Sequence, residues 1–488
     1  MNIGRTLDPA LDLVPDRTAL ALGDDAVSYR DLDRWVRRVA AGLSARGVGP
    51  GATVALVDDA GVLSVATILA AARLGAAAAQ MNVLLTPGEL RTLAGAVGAT
   101  AGVAGEAFRA GLAEALGGGA AVLGPDDMAG PEPGPGAFAD AEVDPGDAAL
   151  VLFTSGTTGL PKPIAISHGV VAERLGYYAA PIDPAAPPPA DMMSAPIFHI
   201  AGTLGLLVSL RSGRTIVLLP RFDAGAWLAA VERHRVGQTF LVPTMLQRIL
   251  DHPDFATTDL SSLRQLSYGA AAAPVALVER ALDALPGVAF TNVFGQTETL
   301  GAYAALSADD HRARHKLGSA GRPFPGVELR IADVATGADC PPDAVGQVWV
   351  RAAQNVTADW LPTGDLASLD GEGYLHPVGR MTDTINRGGE KFGPIEVEEV
   401  LRRHPAVRDA GVCGVPDPEL GQRVAAVVVT VDGAAVDADD LRAFAAADLA
   451  RYKLPERIVF ADDLPYSNLG KVSRPALAAV VATAGGGR

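Results

Sequence analysis

The apolar run Ala148-Ala149-Leu150-Val151-Leu152-Phe153 empties directly into Thr154-Ser155-Gly156-Thr157-Thr158-Gly159-Leu160-Pro161-Lys162. A short unbroken apolar run reads as a strand buried on both faces, which occurs where helices cover a parallel sheet. Such a strand holds the near end of the following loop rigid. Glycine lets the loop backbone approach an anion, the hydroxyls and free N–H groups donate to it, and the lysine ammonium offsets its charge. Strand and loop together predict a layered α/β protein with a triphosphate cradle at the end of one strand. The loop is not the common P-loop, because Lys162 does not follow a glycine directly and no Ser or Thr comes next. A Ser/Thr/Gly surface loop is the plain alternative, so the rest of the chain decides.

Strand-like runs recur at Ala52 to Val57, Gln238 to Val242, Leu263 to Tyr268 and Val288 to Phe294, with helical patterns between several of them. This alternation indicates α/β layers. The segments Gly117 to Asp147 and Pro181 to Pro189, rich in glycine and proline, read as surface connections. The pattern restarts near Gly379-Arg380-Met381-Thr382-Asp383. Beyond it a compact α+β unit is expected: helix Ile395 to Arg403, strands Ala410 to Val415 and Arg423 to Val431, helix Asp437 to Leu449, and strand Arg457 to Phe460. The expected architecture is a large N-terminal α/β domain over residues 1–379 and a smaller α+β domain over 380–488.

Bulk properties narrow the function. A chain of 488 residues with a net charge of -16 is a poor surface for nucleic acid. Cys340 and Cys413 are far apart and lack metal-type spacing, which points to a reduced cytoplasm rather than a disulfide framework. Met1 to Arg5 lead into polar residues, without the apolar core of a signal peptide. The most membrane-like stretch, Ala60 to Gln80, is mostly alanine and is broken by Arg73, so it reads as a packed helix. No membrane partner is expected.

Three further segments carry chemistry. Asn292-Val293-Phe294-Gly295-Gln296-Thr297-Glu298 leaves a strand, through an expected glycine turn, toward the carboxyl edge of a sheet, where α/β proteins bind ligands. A hydroxyl there can meet a phosphate and a carboxylate can hold magnesium. Thr363-Gly364-Asp365 reads as a second glycine turn whose aspartate can accept both hydroxyls of a ribose, with Arg380 as a further candidate. Near the end, Leu469-Gly470-Lys471 presents a lysine on a glycine turn. Each feature alone has an ordinary surface explanation.

In this order, together with Pro196-Ile197-Phe198-His199-Ile200-Ala201-Gly202, the run Gly379 to Glu396 and Tyr452-Lys453-Leu454-Pro455, the elements resemble the adenylate-forming superfamily. Within it the chain looks most like an acyl-coenzyme A synthetase. The resemblance implies that ATP and a carboxylic acid give acyl-AMP and pyrophosphate, and that the thiol of coenzyme A then displaces AMP. It implies that Lys471 bridges the carboxylate and the α-phosphate, that Thr297 touches the α-phosphate, and that Glu298 with Thr158 serves magnesium. Thr154, Ser155, Gly156, Thr157 and Thr158, with Lys162, would wrap the outer phosphates. Gly269, Ala270 and Ala271 would sandwich adenine against Asn292, Val293 and Phe294, followed by Gly295 and Gln296; Asp365 and Arg380 would hold the ribose. His199 matches the turn at the acyl pocket and thiol tunnel, and Gly388-Gly389 matches a strand that admits the pantetheine arm. Ala270, Val293, Leu300 and Gly301 fall near the acyl pocket by family position; being small and apolar, they favour a bulky, greasy acid over a charged one.

Three departures from the family pattern stand out. The resemblance implies a mobile small domain that turns about a hinge near Thr382, and that pivot position is usually Asp or Lys. Pro163 replaces the glycine that usually follows the loop lysine, which restricts closure over the phosphates. The connection Ala352 to Pro362 is short. These departures raise the possibility that the enzyme performs only the thioester half, taking an acyl-adenylate made elsewhere. Two more readings compete with it: an enzyme that loads a carrier protein, and a nucleotide-binding protein without catalysis. The acid and the oligomeric state stay open.

Overall fold

The computed structural model describes residues 1–117, 122–129, 132–134, 136–154, 161–357, 359–466 and 471–484. Two large sheets dominate. One has six strands in the order Val122–Leu123, Ala101–Ala104, Thr53–Val57, Ala77–Gln80, Ala148–Thr154 and Lys162–Ser167, all parallel except the last. The other has nine, with a parallel centre that runs Ala289–Gln296, Gln265–Gly269, Val236–Leu241, Ala190–Met193, Ile216–Leu218 and Thr18–Leu22. Antiparallel strands Gly301–Leu306 and Arg322–Pro323 close one side of it, and Asp25–Ser28 the other. An antiparallel four-stranded sheet follows, formed by Glu328–Ala332, Gly346–Arg351, Leu361–Leu369 and Leu375–Arg380.

The stretch Ala60 to Gln80 is not one helix. Helix Val62–Arg73 turns at Gly75 into strand Ala77–Gln80. Every residue from Leu63 to Arg73 is buried, so this helix is apolar all round because it lies inside the molecule. Arg73 is the exception in character, and it is paired with Asp33 at 2.8 Å. Among the described residues no helix is long and apolar enough to cross a membrane. The segment Gly117 to Asp147 is also more than a surface connection: Val122–Leu123 adds an edge strand, and Met128 is buried in the core.

The small domain holds hairpin Ile385–Arg387 and Glu390–Phe392, long strands Val407–Asp417 and Gly421–Thr430, and strand Arg457–Phe460 beside the latter. Helices Pro394–Arg402 and Ala438–Ala445 cover one face, the second shorter than its amphipathic pattern suggests. Helix Arg474–Thr483 packs Leu477 and Val481 onto the other.

Candidate active site

The carboxyl ends of the two large sheets share one rim. Thr154, ending its strand, and Glu298, just past the end of Ala289–Gln296, bring hydroxyl and carboxylate oxygens within 3.5 Å. Gly295 is not the turn expected from the sequence. It is paired with Ala302 inside the ladder, where a side chain would collide with the carbonyl of Gly301. The chain turns instead at Thr297–Thr299, and Leu300 takes a left-handed φ of 44° to start the return strand. The Gln296 N–H donates to the Thr299 hydroxyl at 3.1 Å and fixes that turn.

Gly269 lies opposite Val293 in register, and a side chain there would strike the Val293 carbonyl, so the adjoining segments 269–271 and 292–294 sit side by side. Ala270, exposed, holds a φ of 66° that L residues avoid without a surrounding constraint. Phe294 meets Tyr303 edge-on at 5.5 Å, and the Asn292 amide donates to the Ser319 carbonyl at 3.1 Å. Leu300 is buried in the core, and Gly301 faces Leu204.

Thr363-Gly364-Asp365 belongs to strand Leu361–Leu369 rather than to a turn, although Gly364 keeps a φ of 76°. Strand pairing sets Asp365 opposite Arg380, and the Arg380 guanidinium donates to the Asp365 carboxylate at 2.9 Å. Burial pushes the Asp365 carboxyl above the usual carboxylate range, against the pull of Arg380 and Lys471. Lys471 lies half-buried next to this pair. Burial and the Arg380 charge lower its pKa, while Asp365, Asp383 and Glu298 favour its charged form. The structure thus brings Glu298, Asp365, Arg380 and Lys471 into one electrostatic neighbourhood, although Lys471 is more than a hundred residues from Asp365 in sequence.

His199 caps helix Ile200–Arg211, with its ring against Phe198. Burial, then repulsion from Lys471, pushes its pKa down to about 3. The imidazole is therefore neutral at physiological pH, and among the described residues its buried Nε2 has no hydrogen-bond partner. Because the folded pKa is depressed, the unfolded state binds the extra proton as pH falls below the unfolded value of 6.5. Stability tied to His199 is complete above that value and is lost toward the folded pKa, up to about 2 kcal/mol by pH 5. A His199→Gln variant should show a flatter melting temperature between pH 7 and 5; an unchanged slope would place the lost stability elsewhere.

Gly388-Gly389 forms the two-residue turn of a hairpin and not a strand, with φ values of 62° and 96° that suit glycine at both positions. The turn is exposed, and its Gly388 N–H donates to the Leu420 carbonyl at 2.8 Å within the small domain. Lys162 is exposed and starts the return strand opposite Thr154. Pro163 follows it on the edge strand of the sheet, the place where a missing N–H is tolerated. The phosphate-loop residues Ser155, Gly156, Thr157 and Thr158 lie outside the described residues, as do Ser467 to Gly470. Asp383, which no motif singles out, stands beside Thr382 in one short turn and faces Lys471 and Arg474, so a charge adjoins the uncharged pivot position. A cleft of about 350 Å3 separates the aromatic turn from the small domain, lined by Phe198 and Met245 on one side and Tyr466 on the other. Arg248 and Asp463 approach to 3.4 Å across the same divide.

Comparison with known proteins identifies the family. Residues 8–358 match the AMP-binding enzyme family and residues 396–471 match the AMP-binding enzyme C-terminal domain. A feruloyl-CoA synthase of Amycolatopsis sp is 37% identical over 477 residues, covering 94% of each chain. An indoleacetate–CoA ligase of Aromatoleum aromaticum is 32% identical over 515 residues, covering 99% of this chain and 98% of its own. The solved o-succinylbenzoate CoA synthetase of Bacillus subtilis, in complex with its acyl-adenylate intermediate, superposes with a TM-score of 0.83 at 28% identity over 97% of each chain. The chain belongs to the AMP-binding enzyme family, and it is an ATP-dependent acid–CoA ligase that makes acyl-CoA by way of an acyl-adenylate.

Proposed function

We propose that the acid is an aryl-type carboxylic acid and that the chain runs both half-reactions, with the small domain, residues 380–488, turning about Thr382 between them. The observation that carries the reading is the placement of Lys471 beside Asp365, Arg380, Glu298 and His199. Joining a carboxylate to the α-phosphate of ATP brings two anions together, and a half-buried ammonium between them neutralises charge as it develops, in a medium where the attraction is strong. In this reading Lys471 bridges both groups, Thr297 donates to the α-phosphate, and Asp365 and Arg380 hold the ribose. The segments 269–271 and 292–294 flank adenine.

A magnesium ion fits the donor set. Glu298 and Thr154 present hard oxygens within 3.5 Å of each other, and among the described residues no cluster of three or more His, Cys, Asp or Glu forms. A cation here would take one carboxylate and complete its shell with phosphate oxygens and water, the coordination magnesium prefers. When bound, the metal supplies charge neutralisation on the phosphates. Glu298 and the loop residue Thr158 would hold it.

The aryl preference rests on the small apolar residues Ala270, Val293 and Gly301, and on relatives named for ferulate, indoleacetate and succinylbenzoate. For the second step, the neutral His199, whose Nε2 has no partner among the described residues, and the apolar cleft beside Phe198 favour a slim thiol arm entering between the domains. Coenzyme A is the preferred acceptor over a carrier protein. One of the departures that pointed to a thioester-only enzyme finds local compensation, since Asp383 places a charge beside the uncharged pivot.

The test is pyrophosphate exchange with aryl and straight-chain acids, followed by thioester formation with coenzyme A and with a phosphopantetheinylated carrier. Strong exchange with aryl acids and transfer to coenzyme A is the expected result. Absent exchange combined with rapid thiolysis of supplied acyl-AMP would replace it with the thioester-only reading. Gly389→Leu is expected to slow thioester formation about tenfold or more while exchange stays within about twofold, because a side chain at the hairpin tip would obstruct the thiol arm. Intact thioester formation in that variant would move the thiol route elsewhere.

A further inference from the structure

We infer that Arg174 is a positioning residue for Glu298, acting through a clamp built on the short connection that follows strand Gly346–Arg351. The inference rests on the reading of Glu298 as the carboxylate that serves magnesium. Arg174 belongs to helix His168–Tyr178 and is only 4% exposed. Burial alone penalises a guanidinium there, and it lowers the pKa of this one. Its guanidinium donates to two neutral oxygens, Nη1 to Gln354 Oε1 at 2.9 Å and Nη2 to the Ala302 carbonyl at 2.7 Å, while Tyr178 and Glu173 favour its charged form. The guanidinium also lies over the Tyr178 ring, 4.9 Å from its centre. A buried cation on neutral acceptors is costly compared with an apolar residue of the same length, which makes geometric specificity the physical reason for it to be there.

Both acceptors lead to Glu298. Ala302 lies on the return strand and pairs with Gly295 immediately before the turn Thr297–Thr299. The Gln354 Nε2 donates to the same carbonyl at 3.3 Å, so both lone pairs of that oxygen are used. Two residues past Gln354, the Val356 N–H donates to the Glu298 carbonyl at 2.9 Å. Asn355, between them, is 4% exposed and donates to the Val350 carbonyl at 3.0 Å, which locks the connection to its own strand. The Glu298 peptide is therefore held from the return strand on one side and from residues 354–356 on the other, and Arg174 joins the two supports.

The helix that carries Arg174 begins where strand Lys162–Ser167 ends, and that strand pairs with Ala148–Thr154. Thr154, from one sheet, and Glu298, from the other, meet only if the two sheets keep their relative height. Arg174 reaches from the helix attached to the first sheet to the hairpin of the second and so fixes that height. The start of the connection after strand Gly346–Arg351 thus presents Gln354 and Val356 to this clamp.

The test compares Arg174→Met, Arg174→Lys and Gln354→Leu with Glu298→Gln. One readout is the rise in melting temperature caused by ATP with magnesium against ATP with EDTA. Others are the magnesium concentration that half-saturates pyrophosphate exchange and the rate of thioester formation from supplied acyl-AMP. Arg174→Met and Gln354→Leu should raise the half-saturating magnesium about tenfold and shrink the magnesium-dependent rise in melting temperature, with the ATP–EDTA value and thioester formation within about twofold. Arg174→Lys, which keeps one donor direction, should recover part of the loss. If Arg174→Met does not fold, Gln354→Leu breaks the same clamp without stranding a charge. A magnesium shift in Glu298→Gln with none in Arg174→Met or Gln354→Leu overturns the clamp alone. No shift in Glu298→Gln overturns the reading of Glu298, and the clamp with it.

Discussion

Lys471→Ala is expected to lower the rate of acyl-adenylate formation by about 10³ and to leave thioester formation from supplied acyl-AMP within about threefold. In the first step two anionic reactants approach each other, and the loss of one preorganised cation in a partly dry site removes about 4 kcal/mol of transition-state stabilisation. In the second step a thiol attacks an acyl carbon that has already been activated, so the ammonium has no comparable charge to stabilise. Burial and the Arg380 charge work against protonation of Lys471, and Asp365, Asp383 and Glu298 support it. The alkaline limb of adenylation should consequently fall at a pH below the ordinary lysine value. Single-turnover measurements of both steps check the prediction; equal losses in the two would show that Lys471 has another role.

Asp365→Ala should raise the KM for ATP by about 10², with kcat within about tenfold. A carboxylate that accepts two hydroxyl protons forms charge-assisted bonds of about 1.5 to 3 kcal/mol each. Removal of the carboxylate also leaves the Arg380 guanidinium without its partner at 2.9 Å. Asp365→Asn keeps one acceptor oxygen and should lose less. Because Asp365 is buried on strand Leu361–Leu369, melting temperatures of both variants in the absence of nucleotide separate lost binding from lost stability. An unchanged KM for ATP in Asp365→Ala would remove the ribose assignment.

Much of this is legible in the sequence where local chemistry and tertiary context agree. Ala148–Thr154 is a buried strand because an unbroken apolar run has no other stable place, and the paired Asp365 and Arg380 both stand out by their glycine neighbours. Glycine is the residue most easily misread. Gly295 and Gly364 look like turns, yet each lies in a strand: at Gly295 the return strand approaches too closely for a side chain, and Gly364 supplies a positive φ within the ladder. The resemblance alone places Gly388-Gly389 on a strand, and the pair is a hairpin turn, the place that two adjacent glycines with positive φ favour. Helix Val62–Arg73 and strand Ala77–Gln80 merge into one pattern because both are buried on every side, which erases the periodicity that tells them apart. Arg174 and Gln354 carry no signal at all. They lie 180 residues apart, and only the fold brings them together.

The most direct test of the central claim, that one nucleotide is gripped by both large sheets and by the small-domain lysine together, is a crystal structure with a hydrolysis-resistant acyl-adenylate analogue. The account predicts adenine between segments 269–271 and 292–294, ribose hydroxyls on Asp365, and the Lys471 ammonium within hydrogen-bond distance of the acyl-phosphate linkage. An analogue seated away from Asp365 and Arg380, or a Lys471 directed into solvent with the linkage held by other groups, would contradict it.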